Sequence, residues 1–150
     1  MFVRKALVLC LFMAATRGYA GEAASSEPAA VLDAVPGCVE AKMGRVSVSI
    51  GSKDTRAARG VSYQQAFGKL AHAAAERGGN AVVLRQNEAA YVTRSKSIDP
   101  RPGYIALEGL VIRLPTDATA CTWTPIDVDA FAERAASAQR EDITTENKSF

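Results

Sequence analysis

Residues 62–84 read SYQQAFGKLAHAAAERGGNAVVL. Two kinds of structure meet in this stretch. Ser62 suits a helix N-cap, and Gln65 three residues later completes a capping box. Tyr63, Ala66, Phe67, Leu70, Ala71 and Ala74 recur at helical spacing, which predicts one apolar stripe along a helix. Gly68 lies within it at a cost of about 1 kcal/mol against alanine, and close packing on a sheet is the expected reason. Gly78-Gly79 stops the helix, because glycine takes the left-handed conformation cheaply. Asn80 then leads into the continuous apolar run Ala81-Val82-Val83-Leu84, the signature of a strand, with a second piece expected over Ala89–Thr93.

Upstream, Arg45–Ile50 alternates strictly, with Val46, Val48 and Ile50 on one face and Arg45, Ser47 and Ser49 on the other. A polar loop over Gly51–Gly60 carries Lys53, Arg56 and Arg59. Downstream, Arg94–Gly103, with Pro100 and Pro102, reads as a turn region, and Tyr104–Leu114 as the last strand. That strand changes phase: Ile105 and Leu107 share a face, and Leu110, Ile112 and Leu114 join them only if Gly109 is a bulge. Pro115 ends it.

The expected fold class is therefore α+β, a small β-α-β-β sheet with one helix on one face. A right-handed crossover makes the first two strands parallel, and a hairpin makes the third antiparallel to both. The third strand beside the first, order 1-3-2, brings the chain just outside both strands to one end of the sheet. Cys38 and Cys121 stand there. An even cysteine pair in a small exported domain predicts a disulfide. Its loop of about 80 residues is worth roughly 4–5 kcal/mol by chain entropy and 2–4 kcal/mol in typical practice. There is no C-x-x-C and no cysteine–histidine cluster, so neither redox catalysis nor a metal site is expected.

Export is read from the N-terminus. Arg4 and Lys5 precede an apolar run from Ala6 to Ala15, and Gly18-Tyr19-Ala20 supplies small residues for cleavage after Ala20. The run is too short to span a bilayer of about 30 Å, so no stable membrane insertion is expected. Leu9 before Cys10 argues against a lipid anchor. The expected product is periplasmic or secreted. Loss of Arg4, Lys5 and Arg17 takes the formal charge from +2 to −1, which removes the case for nucleic-acid binding. Residues 1–20 are thus a signal peptide, 21–37 a flexible linker, 38–122 the disulfide-stapled domain, and 123–150 a C-terminal helix with a disordered tail. Asp127 or Asp129 caps that helix, which runs to about Arg140 with Val128, Phe131 and Ala135 on one side. Asn147-Lys148-Ser149 matches a glycosylation sequon, of consequence only in a eukaryotic host.

The run from Lys69 to Leu84, an alanine-rich helix followed by Gly78, Asn80 and Ala81-Val82-Val83, resembles a group of small bacterial domains. The group comprises YbjQ-like proteins and the envelope-stress sensor lipoprotein of the Rcs pathway, in which such a helix ends in a Gly-x-Asn-Ala-Val turn into a strand. The similarity covers roughly residues 38–115. It implies an extracytoplasmic α+β domain with a sensing or protein-interaction role and brings no catalytic residues. The chain departs from the sensor in lacking a lipoprotein signal and in having one expected disulfide rather than two.

No enzyme, cofactor or metal centre is expected. His72 lies off the apolar stripe, and Ser47 and Ser49 have no sequence-local base. Glu76, Glu88 and Glu108 fall on different elements with no reason to converge. Gly78-Gly79-Asn80 follows a helix rather than opening one, unlike a phosphate-binding loop. Between Cys38 and Pro115 twelve Lys/Arg face six Asp/Glu, with acidic segments on either side. Two partner classes follow. One is an envelope protein on the exposed sheet face. The other is an anionic envelope component (lipopolysaccharide, phospholipid or peptidoglycan) on Lys53, Arg56, Arg59, Arg94, Lys96 and Arg101.

Overall fold

The strand, helix and strand expected around residues 62–84 lie within a four-stranded mixed sheet, so the class is α+β. The computed structural model describes residues 27–54, 59–94, 97–117, 119 and 121–146, and only the backbone of those within 92–100 and 140–146. The stretch expected to be a signal peptide, Arg56, Lys96 and the sequon lie outside the described residues. The elements are β1 (Ala30–Leu32), β2 (Ala41–Gly51), α1 (Tyr63–Glu76), β3 (Ala81–Arg94), β4 (Ser97–Arg113) and α2 (Val128–Glu146).

The sheet order is β1-β3-β4-β2, four strands where three in the order 1-3-2 were expected. The three anticipated strands are β2, β3 and β4, with β4 antiparallel to both neighbours. The addition is β1, which pairs parallel to β3 with Ala30 opposite Ala81 and Leu32 opposite Val83. Ala30–Leu32 was expected in the flexible linker. Only three residues long, it has too little periodicity to announce itself, yet Leu32 is 1% exposed. The outer edge of β3 supplies the backbone partners. The chain beyond Cys121 closes the other side of β1: the Ile126 N–H donates to the Val31 carbonyl at 2.8 Å, and Leu32 bridges Pro125.

α1 has the expected start and stop. The Ser62 hydroxyl accepts from the Gln65 amide, and the Gln65 side chain accepts from the Ser62 amide. Gly78 takes φ +80°, and the Arg113 guanidinium donates to its carbonyl at 2.7 and 3.3 Å. Tyr63, Ala66, Phe67, Leu70, Ala71 and Ala74 are all buried. Gly68 plays no packing role: it is exposed, and a methyl group there would meet nothing. Asn80 has a structural duty. Its amide nitrogen donates to the Leu114 carbonyl at 2.9 Å and its oxygen accepts the Leu114 N–H at 2.7 Å, extending the β3–β4 ladder by one side chain.

The phase change in β4 has a different cause from the expected bulge at Gly109. β4 runs in regular register with β2 through Gly109, opposite Val46. Ile105, Leu107, Gly109 and Val111 face α1, where a side chain on Gly109 would collide with Val82. Ile112 and Leu114 are buried on the opposite face. The strand is apolar on both faces at one end because both are covered there. The irregularity sits in β3 instead, where the register shifts between Leu84 and Gln86 and leaves Arg85 as the extra residue.

The expected turn over 94–103 is also shorter. Ser97 to Gly103 belong to β4, prolines included. β2 ends at Gly51 opposite Tyr104, so no second described strand flanks this end of β4, and proline is tolerated on an edge. α2 docks through its first turns. Asp127 caps it, accepting from the Asp129 and Ala130 amides at 3.1 and 3.0 Å. Phe131 packs edge-on against Tyr63 and Phe67, centroids 5.2 and 5.3 Å apart. The helix continues to Glu146, beyond the expected end.

Two clusters make the core. Leu70, Phe67, Val82, Ile105, Leu107 and Val111 lie between α1 and the sheet. Leu32, Ala81, Val83, Ile112, Leu114 and Cys121 lie on the opposite face at one end. The Cys38–Cys121 disulfide closes over this second cluster, with its Cα atoms 5.6 Å apart. Among the described residues no helix is long and apolar enough to cross a membrane.

Candidate functional site: an open half of the sheet

The second sheet face is only partly covered. Strand alternation places Ser47 and Ser49 of β2, Tyr104, Ala106 and Glu108 of β4, and Gln86 and Glu88 of β3 together beyond the disulfide cluster. These residues line an open groove of about 310 Å³. The extra residue at Arg85 puts Gln86 opposite Glu108 and Glu88 opposite Ala106. Glu88 and Glu108 therefore do converge, contrary to the expectation from sequence. The signal that predicts this is the change of alternation at Arg85, which the continuous apolar run Ala81–Leu84 hides.

Each carboxylate has its own cation. Arg45 meets Glu108 at 3.1 Å, and Lys53 meets Glu88 at 2.7 Å. The Lys53 ammonium also lies 4.8 Å from the centroid of the Tyr104 ring. The hydrogen bond that Lys53 donates to Glu88, then the Glu88 charge, raises the Lys53 pKa above the ordinary lysine value. Both ion pairs are solvent-exposed, where such contacts contribute about 0–1 kcal/mol. The groove thus presents hydroxyl, amide and paired charge rather than a field of one sign.

Of the six basic residues expected to bind an anionic surface, the structure places Lys53 and Arg101 on different sides of the sheet. Lys53 stands on the groove side, neutralised by Glu88. Arg101 lines a cleft on the helix side, with Tyr63, Gln64 and Asp129. Arg59 is exposed in the loop before α1, and the Arg94 side chain, Arg56 and Lys96 lie outside the described residues. His72 is exposed on α1. Among the described residues no three His, Cys, Asp or Glu side chains gather in a metal-holding group.

Comparisons with protein-family models, with curated proteins and with solved structures each give no match to this chain.

Proposed function

We propose that the chain is an exported, non-enzymatic interaction module of the cell envelope, with a stress-sensing role, that binds another protein through the open half of its sheet. The observation that carries this reading is the groove formed by Ser47, Ser49, Gln86, Glu88, Ala106 and Glu108, left uncovered while Ala81, Val83, Ile112 and Leu114 of the same face are buried. The Cys38–Cys121 disulfide supports work in an oxidising compartment. The resemblance of Lys69–Leu84 to envelope sensor domains supports the role.

The alternative, an anionic envelope component on basic loops, is weakened by the Lys53–Glu88 pair and by the separation of Lys53 from Arg101. A photo-reactive side chain at position 106 tests the proposal in the envelope. It captures a protein partner that the same group at Glu76 on α1 does not, and capture survives high salt. Equal capture at both positions, or capture only of lipid or glycan lost on adding salt, refutes it. Intact mass tests export: the periplasmic protein begins at Gly21, and its thiols react only after reduction.

A further inference from the structure

A second cavity, of about 120 Å³, opens where α1 and α2 both begin and where β4 passes beneath them. It lies on the helix side of the sheet, so it is independent of the groove. Its volume admits about four water-sized molecules, enough for a small ion or the end group of a larger ligand. Tyr63 lines it. That residue is 3% exposed, and its hydroxyl is buried with no hydrogen-bond partner. A buried hydroxyl left unsatisfied is costly, so this one points to a guest.

The surroundings favour an acceptor. Ser62 takes the Gln65 amide, while the amides of Tyr63 and Gln64, at the first two positions of α1, have no intrahelical acceptor. The positive end of the α1 dipole adds to them. Arg101 lines the same cleft, its guanidinium passing over Gly60, where an added Cβ would stand 3.2 Å from Nε. Among the described residues lining the cleft, the Asp129 carboxylate opposes an anion; the Gln64 side-chain Nε2 donates to it at 2.7 Å.

We propose that this cleft binds a small oxyanion, a carboxylate or phosphate group, through the Tyr63 hydroxyl, the first amides of α1 and Arg101. Titration of the isotope-labelled exported protein with sodium phosphate and, separately, sodium acetate at constant ionic strength tests it. The expected result is a saturable shift of the Gln64 amide with at least one salt, and the stronger of the two identifies the source chemistry. Y63F weakens binding about tenfold, the loss of one hydrogen bond to a charged acceptor. D129N tightens it severalfold by removing the opposing charge. Y63F leaves the melting temperature unchanged or raised, since it removes an unsatisfied group. G60A, which displaces Arg101, weakens binding without moving the Tyr63 ring signals. Absence of saturation with both salts, affinity indifferent to Y63F and D129N, or a lower melting temperature in Y63F overturns the proposal.

Discussion

The two halves of the second sheet face are built from the same strands and follow different rules. In one half, Ala81, Val83, Ile112 and Leu114 project into a buried cluster beneath the Cys38–Cys121 disulfide and Leu32. In the other, Ser47, Ser49, Gln86, Glu88 and Glu108 line an open groove, with both carboxylates paired to cations. The boundary falls between Glu108 and Leu110 on β4 and at Arg85 on β3. Where the face is apolar, the fold spends a disulfide and two chain segments on covering it. Where it is polar, burial would strip hydration from charged and hydroxyl groups for little return. The uncovered half is thereby kept as surface.

This contrast predicts a gradient of mutational effects. The largest belongs to the covered half. Replacing Cys38 and Cys121 by serine lowers unfolding free energy by about 2–5 kcal/mol, measured by denaturant titration. A loss below that range would mean that the apolar cluster holds its cover without the bridge. L70A, on α1 in the core between that helix and the sheet, falls in the same range, about 2–5 kcal/mol. Next comes N80A, which leaves the Leu114 N–H and carbonyl without their side-chain partners and costs about 1–3 kcal/mol. In the open half, S47A and R45A change stability by less than about 1 kcal/mol. A larger effect from either would place that half within the core and end the comparison.

The smallest expected effects are in titration. Hydrogen bonds from the Thr119 hydroxyl and then its amide hold Asp117 below its ordinary value of 3.8. A carboxylate lowered in this way contributes stability above its unfolded pKa and loses it as pH falls through the lowered one. T119A moves the Asp117 midpoint upward in an NMR titration. Lys53, raised by Glu88, has the opposite sign: its contribution is complete below the ordinary lysine value of 10.5 and fades as pH rises through the raised one. E88Q brings its midpoint down.

The local features were legible because they are periodic or chemically singular. The Ser62–Gln65 capping box, the apolar stripe of α1, the Gly78 stop and the cysteine pair all carry their signal within a few residues. The parts that escaped are those decided by tertiary partners. β1 is a strand because β3 and Ile126 flank it, not because three residues prefer to be extended. Gly109 looked like a bulge because both faces of β4 are apolar near Leu110–Leu114, and alternation cannot reveal two-sided burial. Pro100 and Pro102 read as a turn because the edge position that tolerates them is set by where β2 ends. The groove escaped for the same reason, since Glu88 and Glu108 line one groove only after Arg85 shifts the register. Charge counting found the basic excess but not its pairing, so Lys53 and Arg101 were grouped although they stand on opposite sides of the sheet.

The division of the sheet face is tested most directly by methyl relaxation in the presence of a soluble gadolinium chelate. A divided face gives strong relaxation of the Ala106 methyl in the groove and little at Val83 and Ile112 on the same face. Equal relaxation at all three would show that the face is not divided, and the groove would lose its standing as the binding surface.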